Sequence, residues 1–437
     1  MESGESSIAG IPHFTDLLLE VCGTPLNATV DENSIWDFQT SMSFKTGLAT
    51  WAFKWSPVGC TREVDLDIRF EVFLSSDARQ VAVTKLSITA SRDCNAIVTD
   101  LLDGRGAVRS TVTRKGLDAG AATIYAEVKP YGMEDVVAFL VSRVDFTSPG
   151  VDHASRRDAS ALTYIDSHGA TVGQTYDVRL TALSETTLFK YVGIASSDHF
   201  PDPEATARDA SSSAAAIGWS KLLDAHIQVV RKVMHPDLLA DFARPDGSLP
   251  SNDLIRSMHI IAKTSAFYLC HNLLPTNGFQ QNYTSISVGG LSSDSYAGKI
   301  FWDADIFMAP GIMASHPNLA KQIAQYRISR APQAGRNAEA LGYTAGSLIY
   351  PWTSSRLGEC FDDSAKCTGY QYHLNTDIAL SLVMLRNVSG DTKWFRDETL
   401  PVIDGIAQML EQLVEYNALT GRWEVHGMTE PDEFYVC

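Results

Sequence analysis

Between Glu63 and Leu74 the segment EVDLDIRFEVFL places Val64, Leu66, Ile68, Phe70 and Val72 at every second position, with mostly charged residues between them. Period two is the spacing of a strand with one buried and one wet face. Gln80–Thr89, Val136–Phe146 and Thr186–Ser196 are further runs of strand type, rich in Val, Ile, Thr and aromatic residues. Several such strands joined by polar turns predict an antiparallel sandwich over residues 1–200. The pattern changes near residue 200. Residues 201–250 open with turn-forming Pro and Asp, then turn Ala-rich, and predict a linker containing a helix. From about residue 251 the apolar spacing is three and four. Ser251-Asn252-Asp253 offers an N-cap, and Leu254, Met258, Ile261, Ser265 and Leu269 follow as one stripe. Further helices are expected over about 305–328, 331–341, 374–387 and 398–416. The expected organisation is an α+β multidomain chain: an N-terminal antiparallel β-sandwich (1–200), a helical linker (201–250) and a helical domain (251–437). That helical domain holds too many helices for a cap and too few for a closed toroid of paired helices.

Composition narrows the partners. At 437 residues, two domains are the natural expectation, and 45% apolar with 20% charged residues describes a globular chain. Lys plus Arg is 35 and Asp plus Glu is 52, so the net charge is −17. A surface that negative repels phosphate backbones and anionic lipid, which argues against nucleic acid and membrane partners and leaves neutral ligands unaffected. No apolar run approaches the roughly 18 residues of a membrane span. The opening MESGESSIAG is polar and acidic, unlike a signal peptide. Seven cysteines are too few for a disulfide scaffold. Cys360 and Cys367 bracket a polar loop, either as a bridge or as two free thiols. Asn27-Ala-Thr, Asn282-Tyr-Thr and Asn387-Val-Ser are glycosylation sequons, and together with that loop they lean towards an oxidising compartment.

Four segments carry candidate chemistry. In GKIFWDADIFMAPGI, Trp302 adjoins Asp303, with Asp305 two residues on. An aromatic face stacks on the C–H side of a sugar ring while a carboxylate accepts hydrogen bonds from its hydroxyls. A core tryptophan beside a helix-capping Asp has the same sequence. SLIYPWTSSRLGE groups Tyr350, Trp352, Thr353 and Arg356, which serve packing or binding equally well. YQYHLNTDIAL puts His373, Asn375 and Asp377 at a helix entrance, with Asn375 a cap or a ligand contact. No His-rich or Cys-rich spacing suggests a metal site or any other cofactor. TEPDEF follows helix-start grammar, and its Glu433 is either part of that grammar or a presented carboxylate. A glycosidase needs one carboxyl held protonated beside the leaving oxygen, and Phe434 and Asp432 are neighbours of the kind that raise a carboxyl pKa. Nucleophile elbows, phosphate-cradling loops and dinucleotide fingerprints are all missing from the chain.

GLSSDSYAGKIFWDADIFMAPG, GSLIYPWTSSRLGEC, YQYHLNTDIAL, GDTKWF and PDEF, with the earlier IAGIPHF and LLDGRGAVRS, together resemble glycoside hydrolase family 65, above all its fungal acid trehalases. The resemblance covers nearly the whole chain. It implies a galactose-mutarotase-like β-sandwich, a helical linker and an (α/α)6 barrel that is incomplete here. It implies hydrolysis of α,α-trehalose to two glucose molecules with inversion. The matching positions are Trp302 and Asp303 for the donor-site glucose, Trp352 and Asn375 as further sugar contacts, and Glu433 as general acid. The general base of such hydrolases lies downstream of the acid, so a fragment without trehalase activity is expected, its inward helix faces uncovered. The resemblance also implies an extracellular, cell-wall or vacuolar setting. A disaccharide phosphorylase or a glucosylgalactosyl-hydroxylysine glucosidase of the same family, and a non-catalytic carbohydrate-binding remnant, are the alternatives.

Overall fold

The computed structural model describes residues 8–146, 150–160, 162–273, 285–290, 295–360, 366–369, 371–429 and Pro431. Its contacts divide the chain into one unit spanning Ala9–Lys232 and a second that begins at Val233.

In the first unit, among the described residues, two antiparallel sheets face each other. The smaller has the order β11 (Val151–Asp158), β12 (Val172–Leu180), β7 (Cys94–Leu102), β1 (Leu17–Val21), β2 (Thr24–Leu26). The larger runs β3 (Ile35–Ser43), β4 (Leu48–Trp55), β5 (Leu66–Leu74), β6 (Val81–Ala90), β13 (Glu185–Ser196), β10 (Ala138–Phe146), β9 (Thr123–Pro130), β8 (Ser110–Asp118). Alternate residues supply the core between them: Leu17, Leu19 and Val21 from β1 meet Phe53, Trp55, Leu66, Ile68, Leu86 and Ile88. The expected sandwich is therefore present.

Two expectations change here. β5 was expected to have one wet face, yet Phe73, on that face, is 2% exposed. Helices α1 (Pro203–Ile217) and α2 (Trp219–Val233) cover the outer side of the larger sheet, where Phe73 meets Trp219 and His226 and packs with Ala210, Ala214 and Leu222. A strand covered by a sheet on one side and helices on the other loses its polar alternation, and β6 is buried on both faces for the same reason. The stretch read as a linker with one helix thus holds two helices, both starting in the β unit. α1 begins as its sequence dictates: Asp202 caps Ala205 N and Pro203 occupies the first turn. Lys190 sits at zero exposure inside the sandwich. Its ammonium bonds the Asp100 carboxylate at 2.9 Å and donates to the carbonyls of Asp16 (2.9 Å) and Leu101 (2.6 Å). A bridge between Cys22 and Cys60, unread in the sequence, ties the β1–β2 turn to the β4–β5 loop.

The second unit is helical. α3 (Asp253–Asn272) starts on the expected cap, Asn252, whose side chain accepts from Leu254 N and Ile255 N. Its expected stripe is not buried: Leu254 is 69% and Ile261 61% exposed, Met258 and Ser265 are exposed too, and only Phe267 and Cys270 are buried. Periodicity identifies an apolar face without supplying its partner; among the described residues only the last member of the stripe, Leu269, packs against the core. A π-helical turn, Ala304–Met308, runs into α4 (Ala309–Met313). α5 (Pro317–Ala340) continues through Pro332, where the sequence suggested a break near 329–330. Proline removes one helical rung, and burial of Ile323, Ala324, Tyr326, Arg327, Ala334 and Ala338 on both sides of it holds the helix together. After the short α6 (Lys366–Gly369) come α7 (His373–Ser389), the single turn α8 (Thr392–Trp394) leading into a π-helical turn, Phe395–Thr399, and α9 (Leu400–Leu413). A small hairpin, β14 (Glu415–Asn417) and β15 (Arg422–Glu424), follows. The core of this unit gathers Ile312, Leu319, Ile323, Tyr350, Leu374, Ile378, Leu382 and Val402.

Candidate active site

Trp302 and Asp303 lie at the entry to the π-helical turn. Pro310 has no N–H, so a regular helical bond back to residue 306 is impossible, and the backbone opens to the wider spacing, with Ala309 N donating to Ala304 O. Trp302 is half-buried. Its ring stands edge-on to His373 at 5.1 Å and 84°, and meets Phe307 at 5.1 Å. Asp303 occupies the cap position but makes no side-chain capping bond, so the capping explanation of this residue does not apply.

Trp352 lies on the segment 347–355, which passes alongside. Ile300 N donates to Ser354 O at 2.7 Å and Ser354 N donates to Ile300 O at 3.1 Å, one antiparallel bridge that locks the two tryptophan segments in register. The Phe301 ring meets Trp352 edge to face at 5.2 Å and 88°. Trp352 N donates to Cys367 O at 2.8 Å, and Cys367 is bridged to Cys360, so of the two readings of that pair the disulfide holds. Trp352 Nε1 is buried with no hydrogen-bond partner among the described residues.

α5 backs both segments. Tyr326 Oη donates to Ser355 O and pairs with Ser354 Oγ, both at 2.6 Å. Tyr350 Oη donates to Arg327 O at 2.9 Å, and burial pushes this phenol far above its ordinary range, so it stays a donor. Arg327 and Asp305, 1% and 2% exposed, form a forked ion pair. Burial pushes the Asp305 carboxyl up, and the guanidinium beside it opposes that rise. Neither Arg327 nor this pairing carries a local sequence signal, because the partners are 22 residues apart on different elements.

α7 supplies the remaining polar groups. His373 lies between the Asp377 carboxylate (Nδ1 to Oδ2, 2.8 Å) and Gln371 Oε1 (2.9 Å from Nε2). Asn375 is 1% exposed; its Oδ1 accepts from Tyr350 N at 2.8 Å and its Nδ2 donates to Tyr372 O at 3.3 Å, so its amide holds the backbone just before Trp352. Trp302, Asp303, Trp352 and Asn375 are thus on neighbouring, mutually bonded segments. Glu433 and Asn282 lie outside the described residues. Of the other sequons, Asn27 Oδ1 accepts from Thr29 N (2.9 Å) and Thr29 Oγ1 (2.7 Å) in an Asx turn, while Asn387 is exposed near the end of α7.

Comparison with known proteins gives a consistent outcome. Residues 2–233 match the glycosyl hydrolase family 65 N-terminal domain, and residues 267–436 match the glycosyl hydrolase family 65 central catalytic domain. An acid trehalase of Emericella nidulans is 38% identical over 448 residues, covering 99% of this chain and 42% of its own. A cell wall acid trehalase of Arthroderma benhamiae is 35% identical over 447 residues, with the same two coverages. The chain therefore spans about two fifths of the length of these relatives. A kojibiose phosphorylase candidate from the human microbiome superimposes with a TM-score of 0.77 at 16% identity, covering 98% of this chain and 53% of that one, which supports the fold alone.

Proposed function

Because the chain belongs to glycosyl hydrolase family 65, we propose that the protein hydrolyses α,α-trehalose to two glucose molecules, with inversion at the anomeric carbon. The supporting observation is the paired tryptophan segments: Ile300 and Ser354 bridge them, the Phe301 ring meets that of Trp352, and Asp303 follows Trp302 without a capping bond. In this reading the indoles of Trp302 and Trp352 stack on the apolar side of the donor glucose, and the Asp303 carboxylate accepts from its hydroxyls. Asn375 acts by holding the segment that carries Trp352. Glu433 protonates the bridging oxygen as the C–O bond breaks. Inversion also needs a base carboxylate roughly 6.5–9.5 Å from that acid, with the attacking water between. No residue of this chain is assigned to that role. The cell wall setting printed for the Arthroderma benhamiae relative supports a cell-wall setting for this protein, and the sequons at Asn27, Asn282 and Asn387 are its proposed glycan acceptors. Among the described residues no helix is long and apolar enough to cross a membrane.

Glucose release and trehalose calorimetry, each with and without inorganic phosphate, test the proposal. This chain, with no base carboxylate assigned, is expected to bind trehalose without turnover; in a polypeptide of the acid trehalases' full length, phosphate-independent glucose release is the expected result. Asp303→Asn, which removes a charged acceptor, is expected to weaken binding by about tenfold to a hundredfold, from about 1.5–3 kcal/mol for a hydrogen bond to a charged group. In that longer polypeptide glucose 1-phosphate formation would replace hydrolysis by phosphorolysis and binding without turnover would leave a carbohydrate-binding protein, while no binding by either polypeptide would refute the sugar reading.

A further inference from the structure

A buried ion pair is a poor stabiliser, because desolvating two charges offsets most of their attraction, and an apolar pair of similar volume often serves as well. Arg327 and Asp305 are nevertheless both buried, and the guanidinium is used in a particular way. Arg327 Nη2 donates to Phe301 O at 3.1 Å and to Asp305 Oδ2 at 2.7 Å, while Nε faces both Asp305 oxygens at 3.2 and 3.4 Å. Residues 301 and 305 flank Trp302 and Asp303. One planar group therefore closes both ends of the turn that presents the indole and the free carboxylate. The main-chain bonds inside that turn converge on one atom, Trp302 O, which accepts from Asp305 N (2.9 Å) and Ile306 N (3.0 Å). They leave Phe301 O to Arg327. Nη1 is buried without a partner among the described residues, an unsatisfied donor that a pair kept for stability alone has no need of.

We infer that Arg327, acting with Asp305, is a positioning residue that sets the orientation of Trp302 and Asp303 towards a neutral sugar; the ligand rests on the function proposed above, the positioning does not. Lysine keeps the charge but has no fork, so it reaches one end of the turn and not both. The expected signature is a loss of affinity that does not follow stability.

Two variants of the full chain are compared with wild type, Arg327→Lys and the apolar pair Arg327→Met with Asp305→Leu. The readouts are trehalose affinity by calorimetry, melting temperature, and amide hydrogen exchange over residues 301–306 without ligand. Arg327→Lys is expected to weaken trehalose binding about tenfold or more, since small misplacements of binding groups are costly, and to speed exchange in the turn. The apolar pair is expected to keep the melting temperature while losing affinity and exchange protection to a similar degree. Affinity that recovers with the melting temperature, or exchange within twofold of wild type in the apolar pair, overturns the inference. Failure of the wild-type chain to bind trehalose counts against the proposed function; the ligand-free exchange then decides the positioning role, with faster exchange supporting it.

Discussion

Replacing Lys190 by Met removes one charge from the middle of the β-sandwich and leaves another behind. Asp100 is on the smaller sheet and Lys190 on the larger; Ser142 of the larger sheet donates to Asp100 Oδ1 at 2.7 Å, and Gln174 of the smaller donates to Oδ2 at 2.9 Å. The three N–H groups of the ammonium meet three acceptors, the Asp100 carboxylate and the carbonyls of Asp16 and Leu101. Lys190→Met therefore strands a carboxylate at zero exposure, still with two hydrogen bonds but without its counter-ion, and frees two carbonyls. Breaking a buried pair by removing one partner costs about 3–5 kcal/mol. For a unit of this size 1 kcal/mol corresponds to about 2–4 °C, so a fall of about 6–20 °C in the melting temperature of the β unit is expected. Scanning calorimetry follows that transition. The double variant Lys190→Met with Asp100→Leu should recover most of the loss, since it buries no unpaired charge. A single variant less than about 1 kcal/mol below wild type, or a double variant as unstable as the single, would refute the account.

Two further outcomes concern the disulfide bridges and one ion pair of the β unit. The Cys22–Cys60 and Cys360–Cys367 bridges close loops of 38 and 7 residues; loop-closure entropy gives about 4 and about 2 kcal/mol respectively. Replacing each cysteine pair by serine and measuring denaturant midpoints should therefore affect the first bridge more, and the reverse order would contradict the entropic estimate. Arg114 bonds Glu127 at 2.6 Å and holds its carboxyl below the usual value of 4.5. A carboxyl depressed in the folded state adds stability above its unfolded pKa and loses it as pH falls through the folded value. Glu127→Gln should consequently lower the melting temperature at pH 7 and have little effect near pH 2; an equal effect at both would assign the loss to something other than the charge.

Much of this molecule is local in origin. The period-two run of Leu66, Ile68 and Phe70 specifies a strand, because alternate side chains of an extended backbone share a face, and Asn252 starts α3 because its side chain bonds the first free amides. The tryptophan and acidic landmarks are visible for the same reason: each is a short contiguous stretch. What escaped the sequence is what depends on a partner distant along the chain. Phe73 is on the wet side of β5 until α2 covers it, and Pro332 breaks a helix unless tertiary burial holds both halves. The burial of Lys190 depends on Asp100 and two carbonyls that meet it only in the fold, and Leu254 and Ile261, part of the apolar stripe, stay exposed. Arg327 carries no signal until folding brings it to both ends of the Trp302 turn. Backbone geometry fixes which residues share a face, whereas burial and charge compensation depend on what packs against that face, and only the tertiary structure decides that.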